Sequence, residues 1–430
     1  MPIFSCILIA AHFSRISNDW LAISCLIFPF LLFSKKEWVL RLFQVFLIIG
    51  GIIWLERMIN LVHFRKQSQL PSLRLAIILT IVALFTFISA FVLNSPLIKK
   101  IFKNNGPGTI IVPVTTSLLT ALVLSIVLLK VKQPVMILLE RFHPGAGWVE
   151  VILLSIYAGW IAEKILTPSR TPLIRKRIWL LFSIVFFSQL LLGLVGIEKL
   201  LMTGKLHLPV PAMIIAGPLF RGSEFFMLIL FLSTIILIGP AWCSYLCYIG
   251  AWDNLGASIH KIPEVMPKWR KWARLGILGL VVIATLCFRF IGTSGLTATI
   301  AGGIFGIIGV GIMGLISTRK GVMVHCTTYC PMGLLANLFG KLSPFRMRIS
   351  KECTECGSCR FACRYDALTI ADIKKRKPGF TCTLCGDCLH RCKENAIKYH
   401  FLNFDPVRVR YVFIIMVVSL HAVFLGVARL

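Results

Sequence analysis

The sequence predicts a mainly α-helical membrane protein that crosses the bilayer about nine or ten times and carries a small α+β domain near its C-terminus. Three observations support this fold class. Of the 430 residues, 57% are hydrophobic, and the mean hydropathy is +0.85. Apolar runs of about 18 residues or more recur along the chain, which is the length that a membrane helix needs. Eight of the 15 cysteines lie between Cys353 and Cys392, where the apolar runs are interrupted.

The apolar runs divide the chain into four predicted domains. An N-terminal helical membrane module covers residues 1–108, and a membrane domain with two short cysteine motifs covers 109–345. The cysteine-rich domain covers 346–402, and a last membrane helix covers 403–430. The predicted spans are 38–55, 73–93, 109–129, 147–166, 178–198, 225–240, 275–291, 296–316 and 411–428.

The formal charge of +29 comes from 46 Lys and Arg against 17 Asp and Glu. Such a charge first suggests nucleic-acid binding, but the basic residues sit in short loops that flank the apolar runs. This is the positive-inside pattern of a membrane protein, so we expect membrane lipid as a partner and no nucleic acid. The loop His260–Arg274 and the segment from Thr318 to Lys398 are strongly basic. The C-terminal cysteines are therefore expected on the cytoplasmic side.

The segment from Cys353 to Cys392 contains the spacing C-x2-C-x2-C-x3-C twice, and the second copy lies 29 positions after the first. Three cysteines at this spacing bind one [4Fe–4S] cluster, and the fourth reaches the neighbouring cluster in two-cluster ferredoxins. Gly357 and Gly386 stand where the loop needs a positive φ. The predicted ligand sets are Cys353, Cys356, Cys359 and Cys392 for one cluster, and Cys382, Cys385, Cys388 and Cys363 for the other.

A pair of zinc knuckles also uses closely spaced cysteines. A zinc site rarely repeats a cysteine triplet followed by a fourth cysteine, so the pattern favours iron–sulfur clusters. The segment resembles bacterial-type ferredoxins with two [4Fe–4S] clusters. That family usually has proline after the fourth cysteine, where this chain has Arg364 and Lys393. A cation near each cluster is expected to raise its reduction potential.

Two further cysteine pairs share the form C-x3-C-x2-G and lie 83 positions apart, each just after an apolar span. If each pair lies on one helix, its two thiols share a face. Two such pairs would complete a four-cysteine site for a metal or an iron–sulfur cluster. The alternative is that all four are buried apolar residues, a common environment for free cysteine. The four are Cys243, Cys247, Cys326 and Cys330, and His325 is another candidate ligand.

Several spans, two C-x3-C motifs and a C-terminal double ferredoxin segment resemble the NapH- and NosR-type membrane ferredoxins over about residues 175–400. The usual motif of that family is C-x3-C-P. Residues Cys326 to Pro331 match it, whereas Tyr248 stands in the proline position of the first copy. The family belongs to periplasmic nitrate and nitrous-oxide reductase systems, and relatives serve copper-oxidase assembly. The resemblance implies a prokaryotic cytoplasmic (inner) membrane and electron passage between the quinone pool, or a cytoplasmic donor, and a periplasmic redox enzyme.

The residues and the resemblance together predict an electron-transfer component of an oxidoreductase system, with no acid–base catalysis by side chains. Its expected cofactors are two [4Fe–4S] clusters and a further metal or iron–sulfur site at the C-x3-C motifs. Its expected redox partner is a quinone or a partner subunit. The alternative function is an assembly or regulatory factor that reduces or delivers a metal such as copper. A subunit of a redox-driven ion pump is less favoured, because mid-membrane carboxylates are scarce.

Overall fold

The computed structural model describes residues 1–96, 98, 102, 108–131, 134–200 and 208–427. The chain divides into two units, Met1–Trp160 and Ile161–Leu430. Parts of three predicted domains lie outside the described residues. These are most of 97–107 in the N-terminal module, 132–133 and 201–207 in the membrane domain, and 428–430 at the end of the last helix. The four domain boundaries remain a prediction.

The first unit consists of apolar helices that pack on one another. Cys6 and Cys25 lie buried in its apolar cluster beside Phe43. The buried hydroxyl groups of Ser5 and Ser89 are hydrogen-bonded at 2.9 Å, which joins the first helix to the fourth. The helices are α1 (Pro2–Arg15), α2 (Asp19–Ile27), α3 (Glu37–Gln67), α4 (Leu73–Val92), α5 (Gly108–Lys130), α6 (Leu138–Phe142) and α7 (Gly147–Leu166), the last of which ends in the second unit.

The second unit contains further helices and a two-stranded sheet. Two π-helical turns, Ile312–Ser317 and His325–Tyr329, interrupt its regular helices, and such turns often mark functional positions. Strands β1 (Arg346–Ile349) and β2 (Ile397–His400) pair antiparallel. The helices are α8 (Thr171–Leu194), α9 (Met213–Arg221), α10 (Phe226–Ile238), α11 (Trp242–Tyr245), α12 (Tyr248–Ile259), α13 (Arg270–Phe290), α14 (Gly295–Gly311), α15 (Thr318–Lys320), α16 (Pro331–Phe339), α17 (Ile370–Lys374) and α18 (Pro406–Val427).

Eight helical segments of the described chain are long and apolar enough to cross a membrane. The predicted span 147–166 forms α7 but is not among them, since it carries Glu150, Glu163 and Lys164. The predicted fold class, a mainly helical multi-pass membrane protein with a small sheet-containing domain, is confirmed. The eight segments are Glu37–Gln67, Leu73–Val92, Gly108–Lys130, Thr171–Leu194, Phe226–Tyr245, Arg270–Phe290, Gly295–Lys320 and Pro406–Val427.

The cysteine-rich segment 346–402, called the cassette below, repeats its backbone conformation as well as its cysteines. Residues with positive φ recur in it at a separation of 29 positions. Glycine accepts this conformation at no steric cost, so its presence at two of these positions fits the local fold. The repeated pairs are Glu355 and Leu384 (both 56°), Gly357 and Gly386 (73° and 81°), and Asp366 and Asn395 (48° and 49°).

A buried ion pair attaches the cassette to the membrane helices of its own unit. Arg175 of α8 is fully buried, and its Nε and Nη2 atoms donate to the two carboxylate oxygens of Asp387 at 2.9 and 2.6 Å. Its Nη1 atom donates to the carbonyl of Ser244 at 3.0 Å. The guanidinium carbon also lies 5.1 Å from the ring centroid of Trp179. Each nitrogen of this buried cation therefore has an acceptor, as a charge out of water requires.

Arg364 attaches another part of the cassette. Its guanidinium donates to the carbonyls of His260 and Gly321 at 2.8 and 2.9 Å. Close by, Asp366 forms an ion pair with Arg270 at 2.9 Å. The residue that replaces the usual proline after the fourth cysteine thus holds the cassette against the loops that precede α13 and follow α15.

We predict that Asp387→Asn lowers the free energy of unfolding by roughly 3–5 kcal/mol, because the variant leaves the Arg175 charge buried without a counter-charge. Chemical denaturation of the purified protein in detergent would measure this. The matched control is Glu264→Gln, which removes the Lys320–Glu264 pair, 2.6 Å apart and about half exposed on both sides. The control should change the free energy by less than about 1 kcal/mol. Equal effects of both substitutions would contradict the role given to the buried pair.

Candidate iron–sulfur sites

Each C-x3-C motif crosses a break between two helical segments. Cys243 lies in α11, and Cys326 lies in the π-helical turn His325–Tyr329. Cys247 and Cys330 have extended backbone, with φ/ψ of −79°/112° and −73°/119°, and they are the N-caps of α12 and α16. The expectation that both cysteines of a pair share one helix face is therefore wrong, because the chain leaves the helical conformation before the second cysteine.

The two motifs nevertheless close the same turn. The N–H of Cys247 donates to the carbonyl of Trp242 at 3.0 Å, and the N–H of Cys330 donates to the carbonyl of His325 at 2.8 Å. In both cases the acceptor is the residue just before the first cysteine of the pair. The internal repeat in the sequence thus corresponds to a repeated local structure.

Tyr248 occupies the first position of α12, as Pro331 does in α16. Proline is favoured there because the N–H that it lacks would have no partner within the helix. Tyr248 instead stacks on Phe186 of α8, with ring centroids 3.9 Å apart and planes 10° apart. The departure from the C-x3-C-P motif therefore leaves the turn intact and adds a contact between α8 and α12.

The glycine of each motif faces the backbone of the first cysteine. A Cβ atom on Gly250 would lie 3.0 Å from the carbonyl oxygen of Cys243, and one on Gly333 would lie 2.4 Å from that of Cys326. Real side chains essentially never come as close as the second distance. The spacing C-x3-C-x2-G thus has a steric origin, because only glycine lets the new helix begin so close to the preceding turn.

All four cysteines of the two motifs line one cavity. Burial raises the pKa of Cys247 to about 12 and that of Cys326 well above its ordinary value, and neighbouring thiols add to both shifts. Backbone N–H groups of α12 and α16 oppose the rise at Cys247 and Cys330. A metal centre binds cysteine as the thiolate and releases the thiol proton. The backbone N–H groups near Cys247 and Cys330 would stabilise the thiolates formed in this way.

Two buried charged residues flank this four-cysteine cavity. Asp253 of α12 accepts the hydroxyl of Ser317 at 2.6 Å and the N–H of Cys326 at 2.9 Å. Burial raises the pKa of Asp253 to about 6, although these hydrogen bonds oppose the shift. Arg274 of α13 is buried, and its Nε and Nη2 atoms have no acceptor among the described residues. Its positive charge opposes the rise in the pKa of Cys330. Cysteine thiolates would supply the negative charge that this cation lacks.

One of the two predicted ligand sets of the cassette also surrounds a cavity, shared with Tyr365 and Leu368. Burial raises the pKa values of three of its thiols to about 12, and that of the fourth, Cys388, well above its ordinary value. The four cysteines are Cys363, Cys382, Cys385 and Cys388. The set therefore includes the fourth cysteine of the first sequence copy, as the ferredoxin pattern predicts.

The other predicted set lies around Cys359. Burial raises the pKa of Cys359 to about 11, and the neighbouring thiols of Cys392, Cys353 and Cys356 contribute to the rise. Cys359 in turn adds to the raised pKa of Cys388, which indicates that the two sets are neighbours.

A backbone hydrogen bond reaches the fourth cysteine of each sequence copy. The N–H of Ala367 donates to Sγ of Cys363, and the N–H of Ala396 donates to Sγ of Cys392, both at 3.3 Å. Hydrogen bonds to ligand sulfur are among the features that set the reduction potential of a cluster. The two copies are therefore equivalent in hydrogen bonding at this position.

Thiols from the four-cysteine cavity and from the cassette meet at one apolar cluster. Cys326, Cys363 and Cys385 pack against its buried residues, which are Trp179, Ala251, Ala257, Met323 and Tyr365. The indole N–H of Trp179 donates to the carbonyl of Cys247 at 2.6 Å. Trp179 therefore contacts the first C-x3-C motif and belongs to the apolar cluster that cysteines of the cassette also touch.

Among the described residues, no three His, Cys, Asp or Glu side chains lie close enough to hold a single metal ion. Zinc knuckles would need four ligands around one ion. Two of the three cysteine sets surround cavities, an arrangement that fits a cluster whose thiolates bind different iron atoms. The assignment of individual cysteines, and of His325, as ligands remains a prediction.

Sequence reasoning missed Asp253, Arg274 and Trp179. A charged residue in an apolar segment is energetically costly and therefore indicates a functional position. Asp253, three residues after Gly250, could have been predicted from the sequence on this ground. In the sequence, Arg274 looks like one of the many basic residues of the segment His260–Arg274. Trp179 has no sequence signal, because its position depends on how α8 packs against α12.

Comparison with known proteins supports the same region. Residues 220–263 and 302–350 match the model of a protein family described as a 4Fe-4S binding domain. The first segment contains Cys243 and Cys247, and the second contains Cys326 and Cys330. No curated protein and no solved structure matches the chain.

The fold and the cysteine sites define an integral membrane protein with many apolar helices. More particularly, the chain contains a 4Fe-4S binding domain, which fits iron–sulfur electron transfer. The match falls on the two C-x3-C turns, whose cysteines remain predicted ligands.

We predict that Gly333→Ala destabilises the protein by about 1–3 kcal/mol, because its methyl group overlaps the Cys326 carbonyl. Thermal unfolding in detergent would measure the change. The control is Gly311→Ala at the end of α14, where an added Cβ meets nothing within 4 Å. If the two variants unfold at the same temperature, the steric explanation of the motif glycine is wrong.

Proposed function

We propose that this protein transfers single electrons between the quinone pool, or a cytoplasmic donor, and a partner redox enzyme. The observation that carries the proposal is the apolar cluster around Trp179, against which Cys326 of the second C-x3-C motif and two cysteines of the cassette pack. Electron transfer requires carriers that lie close together. A chain that merely stored or delivered a metal would have no need to join two cysteine-rich regions in this way.

The proposal assigns three [4Fe–4S] clusters to the chain, each of which accepts and donates one electron when bound. The first two are held by the cassette sets described above. The third is held by Cys243, Cys247, Cys326 and Cys330. Asp253 fixes the backbone at Cys326, and Arg274 offsets the negative charge of the thiolates. If the donor is a quinol, its oxidation to a quinone releases two electrons to the chain and two protons to water.

We also propose that the cassette faces the cytoplasm of a prokaryotic cell, across the inner membrane from a periplasmic partner. What supports this orientation is the basic loop His260–Arg274 and the basic segment 318–398. The resemblance to NapH- and NosR-type proteins suggests the kind of partner, which is a periplasmic reductase.

Iron content tests the third cluster. We expect about twelve iron atoms per chain in anaerobically purified protein, because three cubanes hold four each. Cys243→Ser or Cys326→Ser should lower this to about eight and should leave the cassette signal in electron paramagnetic resonance spectra. The control is Cys287→Ser, which changes an exposed thiol of α13. A wild-type content of about eight, unchanged in all three variants, would rule out the third cluster.

Oxidation of the reduced protein tests the function itself. A short-chain menaquinone analogue should reoxidise the clusters, and this rate should fall at least about tenfold in Cys326→Ser, since a missing carrier interrupts the path. The alternative, an assembly factor that reduces a metal such as copper, predicts rapid reoxidation by a copper salt and none by the quinone. That result would replace the electron-transfer proposal with the alternative.

A further inference from the structure

Tyr365 has a buried hydroxyl group that lacks a hydrogen-bond partner among the described residues. It stands two positions after Cys363, the fourth cysteine of the first sequence copy. The residue is 2% exposed, and no group of the described structure pairs with its hydroxyl oxygen. A hydroxyl buried without a partner is costly, so we expect a group beside it that completes its hydrogen bonding.

Tyr365 lies where the cassette meets the four-cysteine cavity. It lines the cavity of one predicted cassette set, called the Cys385 set below, and it belongs to the apolar cluster against which Cys326 packs. Burial raises the pKa of Tyr365 well above its ordinary value, Arg175 opposes the rise, and the thiols of Cys385 and Cys326 add to it. The phenol is therefore neutral at neutral pH and lies near thiols of both cysteine-rich regions. The Cys385 set consists of Cys363, Cys382, Cys385 and Cys388.

Two polar side chains near Tyr365 cannot accept its proton. Trp179, in the same apolar cluster, and Arg175 carry only N–H donors on their side chains. These donors already have acceptors, since the indole N–H donates to the Cys247 carbonyl and every guanidinium nitrogen is hydrogen-bonded. A sulfur atom of a cluster in the adjoining cavity would supply the missing acceptor.

The two sequence copies of the cassette differ at the position of Tyr365. The residue 29 positions later is Glu394, which is exposed. By contrast, the backbone N–H groups of Ala367 and Ala396 donate to the fourth cysteines of the two copies at the same distance, 3.3 Å. A hydroxyl donor to the Cys385 set would therefore distinguish two clusters whose backbone hydrogen bonds are alike at this point.

We infer that the Tyr365 hydroxyl donates a hydrogen bond to a sulfur atom of the cluster held by the Cys385 set and raises the reduction potential of that cluster. The inference rests on the proposed function, which assigns a [4Fe–4S] cluster to these cysteines. Reduction adds one negative charge to the cluster, and a hydrogen bond to a more negative acceptor is stronger. The hydrogen bond therefore stabilises the reduced form more than the oxidised form. An electron would then be held more readily on this cluster than it would be without the hydroxyl.

Redox titration of the anaerobically purified protein, followed by electron paramagnetic resonance, tests the inference. Tyr365→Phe removes the hydroxyl and keeps the ring. It should lower the equilibrium constant for reduction of one cassette cluster about tenfold, a shift of ~59 mV for one electron. The other cassette cluster, and the signal that Cys243→Ser abolishes, should keep their potentials. Electron–nuclear double resonance of the reduced protein should also lose one proton coupling, because the donated proton lies close to the cluster.

The matched control is Tyr399→Phe. Tyr399 is also buried in the cassette, at 3% exposure, but its hydroxyl already donates to the Leu384 carbonyl at 2.7 Å. This variant should keep all potentials and the proton coupling, even where it lowers the unfolding temperature. Tyr365→Met also lacks the hydroxyl and fills the space with a flexible apolar side chain, so it should show the same shift as Tyr365→Phe. The iron content of each variant shows that its clusters are retained.

Unchanged cassette potentials in the iron-loaded Tyr365 variants would overturn the inference, and so would an equal shift in Tyr399→Phe. A shift confined to the signal that Cys243→Ser abolishes would also overturn it, because the acceptor would then belong to the third cluster. If the quinone fails to reoxidise the reduced protein but Tyr365→Phe shifts the potential, the hydrogen bond stands and the proposed function is wrong. If the quinone reoxidises the protein and no variant shifts a potential, only the hydrogen bond is wrong.

Discussion

The buried Arg175–Asp387 pair fixes the position of the cassette against the membrane helices of its unit. A cation buried away from water needs a counter-charge and an acceptor for each N–H group. Arg175 has both only when Asp387 and the Ser244 carbonyl are in place. Ser244 lies between the two cysteines of the first C-x3-C motif. The same guanidinium therefore fixes that motif and the cassette together, with Trp179 beneath it.

The sequence predicts much of this arrangement because its strongest signals are local. The spacing of cysteines predicts the two cassette sets, and the apolar runs predict the spans. The glycines at 357 and 386 adopt the expected positive φ. What the sequence could not predict depends on tertiary packing. The spacing of each C-x3-C pair suggests two cysteines on one helix face. The turn after the first cysteine instead depends on backbone contacts of Gly250 and Gly333, which the spacing of the cysteines does not reveal.

Buried charged residues are a second feature that the sequence alone does not predict. Arg175 and Arg274 stand among many basic residues that flank spans, so composition assigns all of them to the membrane surface. The fold buries both and gives them different environments. Arg175 has a carboxylate partner, whereas two nitrogens of Arg274 have no acceptor among the described residues and its charge acts on the four-cysteine cavity. Only three-dimensional neighbours distinguish a cation with a carboxylate partner from a cation beside a group of buried thiols.

The internal repeat also differs between its halves in what surrounds the residue before each first cysteine. Trp242 and His325 occupy equivalent positions, each accepting the N–H of the second cysteine through its carbonyl. The Trp242 ring packs edge-on against Phe231 and Phe424, so the first half closes on an apolar interior. The His325 ring instead lies against Gly309 of α14, and its centroid is 5.5 Å from that of Tyr329. The two similar turns of the repeat therefore have different side-chain surroundings, which are aromatic at Trp242 and include a glycine of α14 at His325.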